Sequence, residues 1–266
     1  MKFINKIHTK GFMEGVYLAE PEANEIALFW LGQAGFLIKT PKGNTVAVDP
    51  CLSDFCEKKT GFKRLVPAVC GCEELECDIL LISHEHEDHF DADLIEVMAQ
   101  NGQFKEIWGP CSIIPWIQKF GLEKVYTQLE YEKKTELPGV AVTPVFSDHG
   151  AETPNAMGFV FDFREIRLYY AGDTAYSPEL KKAVMNLHPD IAIMPINGRF
   201  GNLNPIEAYD FAKEMKCQIL IPCHYWMYAE HGGLPLQLLD MEKEDSVPKV
   251  VWLRQGEGWV TGPDLV

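Results

Sequence analysis

Ser83-His84-Glu85-His86-Glu87-Asp88-His89 places three histidines and one aspartate within six residues, in the spacing H-x-H-x-D-H. Imidazole and carboxylate groups suit zinc, manganese or iron. In an extended segment His84 and His86 project to the same side, because side chains alternate there, while Asp88 and His89 can turn towards a second ion. A polar surface turn with satisfied histidines is the plain alternative. The surroundings argue against it. The run Cys77-Asp78-Ile79-Leu80-Leu81-Ile82 reads as a buried strand. Asp91 reads as a helix N-cap, with Leu94, Ile95 and Met98 at helical spacing up to Gly102. The histidines therefore occupy a strand-to-helix turn.

Other polar residues fall at the ends of expected strands. Residues 26–31 and 35–39 read as a hairpin around Gly32-Gln33-Ala34-Gly35, and Thr45–Val48 as a strand ending at Asp49-Pro50. Val140–Phe146 leads to Asp148 and His149, Ile166–Tyr170 to Gly172-Asp173-Thr174, and Gln218–Pro222 to His224. Strands are also expected at Glu106–Trp108, Met157–Phe163 and Ile191–Ile196. Ser112–Phe120 reads as a helix stopped by Gly121. Ser177-Pro178 opens another that His188-Pro189 closes, and Asn204-Pro205-Ile206-Glu207 is a capping box for a helix to about Met215. Residues 51–76 read as a long loop with short helical pieces.

The segments Trp30-Leu31-Gly32-Gln33-Ala34-Gly35-Phe36, Val48-Asp49-Pro50, the histidine turn, Ser147-Asp148-His149, Ala171-Gly172-Asp173-Thr174 and Ile221-Pro222-Cys223-His224-Tyr225 resemble, in order and spacing, the metallo-β-lactamase superfamily. Within it the chain looks most like the branch containing L-ascorbate-6-phosphate lactonase and related metal-dependent hydrolases. The resemblance implies an α/β four-layer αββα sandwich, with residues 1–266 forming one hydrolase domain. It implies two divalent ions, zinc or manganese, with iron as an alternative. His84, His86 and His149 then hold one ion, Asp88, His89 and His224 the other, and Asp173 bridges them. Asp49 either supports these ligands from behind or merely caps a turn. Asp88 and Asp173 are the expected catalytic carboxylates.

Composition sets bounds. The 266 residues are 47% hydrophobic, enough for a substantial core, with 24 basic against 39 acidic side chains and a net charge of −15. That balance argues against nonspecific nucleic-acid binding. No run has the length of a membrane span, and Met1–Lys10 lacks the apolar core of a signal peptide, so a cytoplasmic protein is expected. The chain is compatible with homo-oligomerisation. Five of eight cysteines, Cys51, Cys56, Cys70, Cys72 and Cys77, cluster in sequence. Reduced thiols are expected, and an accessory zinc or iron–sulfur site on the first four is the weaker alternative.

The expected reaction is hydrolysis by a metal-bound hydroxide. His86 stands where the flavodiiron relatives place a glutamate, which argues against an oxidoreductase. A lactonase acting on a sugar (phosphate) lactone, such as L-ascorbate 6-phosphate, is the first reading. A phospholipase D-like phosphodiesterase is the second, and a non-catalytic metal sensor the third. Arg64, Asn197, Arg199, Tyr225, Trp226 and His231 are candidate contacts to a small, potentially anionic substrate, with a plain surface role the alternative for Arg64 and packing at a strand end the alternative for Tyr225 and Trp226.

Overall fold

The structure, a computed structural model, describes the backbone of Lys2–Ile4 and residues 11–241 and 247–264. Apart from Lys2–Ile4, the Met1–Lys10 stretch read for a signal sequence lies outside the described residues. In chain order the first elements are β1 (Lys2–Ile4), α1 (Phe12–Leu18), β2 (Ile26–Gly32), β3 (Gly35–Lys39), β4 (Thr45–Val48), α2 (Phe55–Thr60), β5 (Ile79–Leu81) and α3 (Ala92–Asn101). Then come β6 (Glu106–Gly109), a 3₁₀ turn (Cys111–Ile113), α4 (Ile114–Phe120), β7 (Tyr126–Gln128), β8 (Thr135–Leu137), β9 (Val140–Phe146), β10 (Met157–Asp162) and β11 (Arg167–Tyr170). The last are α5 (Pro178–Val184), β12 (Ile191–Pro195), α6 (Pro205–Glu214), β13 (Ile219–Cys223), α7 (Leu236–Met241), β14 (Lys249–Val250) and β15 (Gly258–Thr261). The chain divides into two compact units, one running to Leu129 and taking back Leu253–Asp264, the other Glu130–Trp252.

The first unit holds an eight-stranded sheet in the order β1-β15-β2-β3-β4-β5-β6-β7. It is antiparallel up to β4 and parallel from β4 to β7. Alternate residues of β2, namely Ala27, Phe29 and Leu31, join Leu37, Ala47, Leu80 and Ile107 in a core covered by Val16 of α1, Ile95 and Met98 of α3, and Ile117 of α4. Asp91 caps α3, its Oδ1 accepting from the Leu94 amide at 3.1 Å, and Gly102 closes the helix in the left-handed conformation. Because β4 and β5 run parallel, with Val48 beside Leu81, Asp49 and Ser83 leave the same end of the sheet.

The second unit holds a seven-stranded sheet in the order β14-β13-β12-β11-β10-β9-β8. β12 and β13 are buried at every position, as expected for parallel strands covered on both faces. β9 and β11 both pair antiparallel with β10, and β11 to β13 are mutually parallel. The C-terminal ends of β9, β11, β12 and β13 therefore share one edge. That edge carries His149, Asp173, Asn197 and His224. Asn204 completes its capping box with Glu207, and Ser177 caps α5 through the Leu180 amide.

The strands and helices read from periodicity are present, with ends shifted by one or two residues, except that the helix opened by Ser177-Pro178 stops at Val184, short of the His188-Pro189 close expected from sequence. The elements that periodicity did not show, β1, β7, β8, β14, β15, α1 and α7, have short spans or weak signals. β8 is a three-residue, half-exposed edge strand. β15 contains Gly258, whose added Cβ would lie 2.4 Å from the Phe29 ring, so close packing explains a glycine that otherwise reads as a breaker.

Candidate metal centre

In the first unit, three donors converge on the buried carboxylate of Asp49. The Ser83 amide donates to Oδ1 at 2.7 Å, the Ser83 hydroxyl donates to Oδ2, and His89 Nδ1 lies 2.7 Å from Oδ2. Asp49 is fully buried and adopts a positive φ of 44°, which an aspartate tolerates better than most residues. With a proton on Nδ1, His89 keeps its lone pair on Nε2, the arrangement found where a metal-binding histidine is steered from behind. His84, Asp49 and His89 form a tight group of potential ligand atoms. The contact between an Asp49 oxygen and His89 Nδ1 orients the His89 ring.

His84 Nδ1 lies 2.9 Å from the Ser83 hydroxyl, and its Nε2 lies 3.1 Å from His86 Nδ1. The amides of His89 and Phe90 both bond to the carbonyl of His86, at 2.9 and 2.7 Å, closing the turn. Phe90 is buried and stacked on Trp116 with centroids 5.6 Å apart, which anchors the end of the turn in the apolar core. Asp88 Oδ2 lies 3.7 Å from His89 Nε2 and accepts a 2.8 Å bond from Gln33 Nε2.

In the second unit, Asp173 is buried between two histidines. Its Oδ1 lies 3.1 Å from His224 Nε2 and its Oδ2 lies 3.7 Å from His149 Nε2. Asn202 Nδ2 donates to Oδ2 at 2.7 Å. The loops at this sheet edge are tied together: Asp148 N donates to the Thr174 hydroxyl, Ala175 N to Asp148 O, and Leu203 N to Thr174 O. His224 has a φ of 60° directly after β13, backbone strain of the kind that gathers at functional sites. His231 stacks on it, with centroids 4.9 Å apart and planes 6° from parallel.

These distances fit divalent ions. Two donors at about 2.0–2.2 Å from one ion, with near-tetrahedral angles, lie roughly 3.3–3.6 Å apart. The His84–His86 and Asp173–His224 separations of 3.1 Å and the Asp88–His89 and Asp173–His149 separations of 3.7 Å lie close to that interval, on either side of it. The donor set, imidazole with carboxylate, is that of zinc, manganese and iron.

The expected substrate contacts take varied positions. Arg64 is half-buried and donates to the carbonyls of Cys51 at 3.0 Å and Ser53 at 2.9 Å, bracing the loop after Asp49. Asn197 follows β12 and donates to the Arg199 carbonyl at 3.2 Å, while Arg199 is exposed and donates to Glu230 O at 3.1 Å. The pair after His224 diverges. Tyr225 is buried, and burial pushes its phenol pKa up. Trp226 is 55% exposed and its indole donates to Gly233 O at 3.2 Å.

All eight cysteines are free thiols. Among the described residues no cysteine joins a group with metal-ligand geometry, so the four-cysteine accessory site finds no support.

Gln33 and Asn202 were not singled out from sequence. Gln33 had a signal, as the polar side chain in an otherwise small-residue turn. Asn202 had none, because it reads as part of the loop before the Asn204 cap.

The fold and the clustered imidazole and carboxylate groups point to a class. A model of the beta-lactamase superfamily domain matches residues 27–224, and the chain belongs to that superfamily. It is 28% identical over 250 residues to a UPF0173 metal-dependent hydrolase of Polynucleobacter asymbioticus, covering 86% of this chain and 84% of that one. Igni18, a metallo hydrolase from the archaeon Ignicoccus hospitalis, superposes with a TM-score of 0.70 at 20% identity, over 89% of this chain and 98% of that one. The metallo-beta-lactamase fold protein YhfI from Bacillus subtilis does so with a TM-score of 0.66 at 18% identity, over 90% of this chain and all of that one. The α/β fold class expected from the sequence is thus the metallo-β-lactamase fold.

Proposed function

We propose that the chain is a metal-dependent hydrolase with two divalent ions, one held by His84, His86 and His149, the other by Asp88, His89 and His224, with Asp173 shared. The observation that carries this reading is Asp173, whose two oxygens each face a different histidine, at 3.1 and 3.7 Å. A carboxylate donating each oxygen to a different cation has that disposition. Two ions bound by these residues would supply a nucleophilic water at neutral pH and Lewis acidity towards a scissile carbonyl or phosphoryl group.

The chain's own groups then set geometry. Asp49 and Ser83 fix the rings of His89 and His84, and His231 braces His224 by stacking. In this reading the exposed Arg199 and Trp226 contact a small substrate, the first through charge and the second through an apolar face; their exposure supports it. Arg64 and Asn197 brace their own loops, and Tyr225 is buried. A sugar (phosphate) lactone such as L-ascorbate 6-phosphate fits this reading, with the whole chain acting as one cytoplasmic hydrolase domain. No described helix is long and apolar enough to cross a membrane.

The test is a hydrolase panel on zinc- and manganese-loaded protein, comparing phosphorylated sugar lactones with phosphodiesters. Lactone hydrolysis is expected. Exclusive turnover of phosphodiesters would assign the chain to the phosphodiesterase class, and metal binding without turnover of either would favour a sensor.

A further inference from the structure

We infer that Gln33 and Asn202 are positioning residues that set the two carboxylate ligands through neutral side-chain amides, an inference that rests on the proposed metal centre. Gln33 Nε2 donates to Asp88 Oδ2 at 2.8 Å and Asn202 Nδ2 donates to Asp173 Oδ2 at 2.7 Å. All four side chains are buried. The same device therefore occurs once in each unit. An amide donor suits this task because it fixes a carboxylate rotamer and draws density from one oxygen without cancelling the negative charge. A lysine or arginine in its place would form an ion pair that competes with a cation for the carboxylate.

The backbone around Gln33 is shaped to present it. Gln33 has a φ of 49° in the turn between β2 and β3, and Trp30 Nε1 donates to its carbonyl at 3.0 Å. Gly35 lets this turn lie against the Asp49 backbone, since an added Cβ would come within 3.0 Å of Asp49 O and 3.1 Å of Gly32 O. One small turn thus abuts the residue that steers His89 and carries the residue that steers Asp88. Asn202 is placed with similar economy. The Leu203 amide bonds to Thr174 O at 2.9 Å, which holds Asn202 beside Asp173.

Removing such a partner behind a metal ligand typically lowers metal affinity about 10–100-fold. The experiment measures metal stoichiometry and chelator-competition affinity for wild type, Gln33→Leu, Gln33→His and Asn202→Leu, with the visible spectrum of each cobalt-loaded protein and the thermal midpoint of each metal-free protein. Gln33→Leu and Asn202→Leu are expected to bind one ion about 10–100-fold more weakly and to shift the cobalt spectrum. Gln33→His keeps an N–H donor and a residue type that tolerates positive φ, so it should recover most of the affinity. Should Gln33→Leu fail to fold, Asn202→Leu and Gln33→His still decide. Wild-type affinity and spectrum in every leucine variant that folds would overturn the positioning role while leaving the metal centre intact. A wild-type protein that binds no metal would overturn the metal centre and this inference together.

Discussion

His89 and Asp49, forty residues apart in sequence, are joined by a 2.7 Å bond from the imidazole Nδ1 to a fully buried carboxylate oxygen. That bond fixes which nitrogen of His89 carries the proton, and so which one presents a lone pair.

Asp49→Asn tests this relationship with little change of shape. Asparagine tolerates the positive φ at this position, and its carbonyl oxygen can still accept from the Ser83 amide. Its NH₂ group then meets His89 Nδ1 and favours the opposite tautomer. Metal affinity is expected to fall about 10–100-fold. Titration against a chelator measures it, and the far-ultraviolet circular dichroism should remain that of the wild type.

Much of this site was legible from residue type and spacing. His84, His86, Asp88 and His89 announced themselves by density within one turn, and Asp91 and Gly102 marked where the following helix begins and ends. His149, Asp173 and His224 were different. Each is a single polar residue after an apolar strand, and only the family pattern joined them to the histidine turn. Gln33 and Asn202 escaped because their role depends on a partner 55 or 29 residues away. Edge strands such as β8 escaped because a short half-exposed strand has no apolar alternation to read.

The cysteines give a prediction in pH. Burial pushes Cys70, Cys77 and Cys217 up to about 12 and Cys72 up to about 11, from an ordinary 9.0. Folded-state values above the unfolded one favour the neutral thiol in the native state. The associated stability is present below about pH 9 and is lost as pH rises through 11 to 12. Alkylation at pH 8 followed by peptide mass mapping should label the exposed Cys111 well ahead of these four. Equal labelling rates would contradict the burial. Unfolded, unreduced protein should titrate all eight thiols.

Asn204 carries a prediction about stability. Its side chain accepts from the Ile206 and Glu207 amides at 3.0 Å, and Glu207 returns a bond to its backbone amide. Asn204→Ala should destabilise the protein by about 1 kcal/mol. In a two-state transition of a chain this size, that corresponds to a fall of about 2–4 °C in thermal midpoint, read by calorimetry. Metal stoichiometry should not change.

Trp226→Ala and Arg199→Ala address substrate positioning. Both side chains are exposed and neither lies among the proposed ligands. Each should raise KM several-fold with little change in kcat, because each removes binding common to the ground and transition states. Steady-state kinetics on the substrate found in the panel separates the two parameters. A large fall in kcat at unchanged KM would show that these residues serve the chemical step instead.

The most direct measurement is the metal content of reconstituted wild-type protein beside Asp173→Ala. Asp173 offers one oxygen towards His224 and the other towards His149, so it is the residue on which the proposed two-ion centre rests. Elemental analysis after removal of loosely bound metal should give two ions per chain in the wild type. It should give one or fewer in Asp173→Ala, with hydrolysis falling by at least about 100-fold when the reacting groups lose their alignment. A single ion in fully loaded wild type, or two ions with near-normal kcat in Asp173→Ala, would contradict the shared-carboxylate centre.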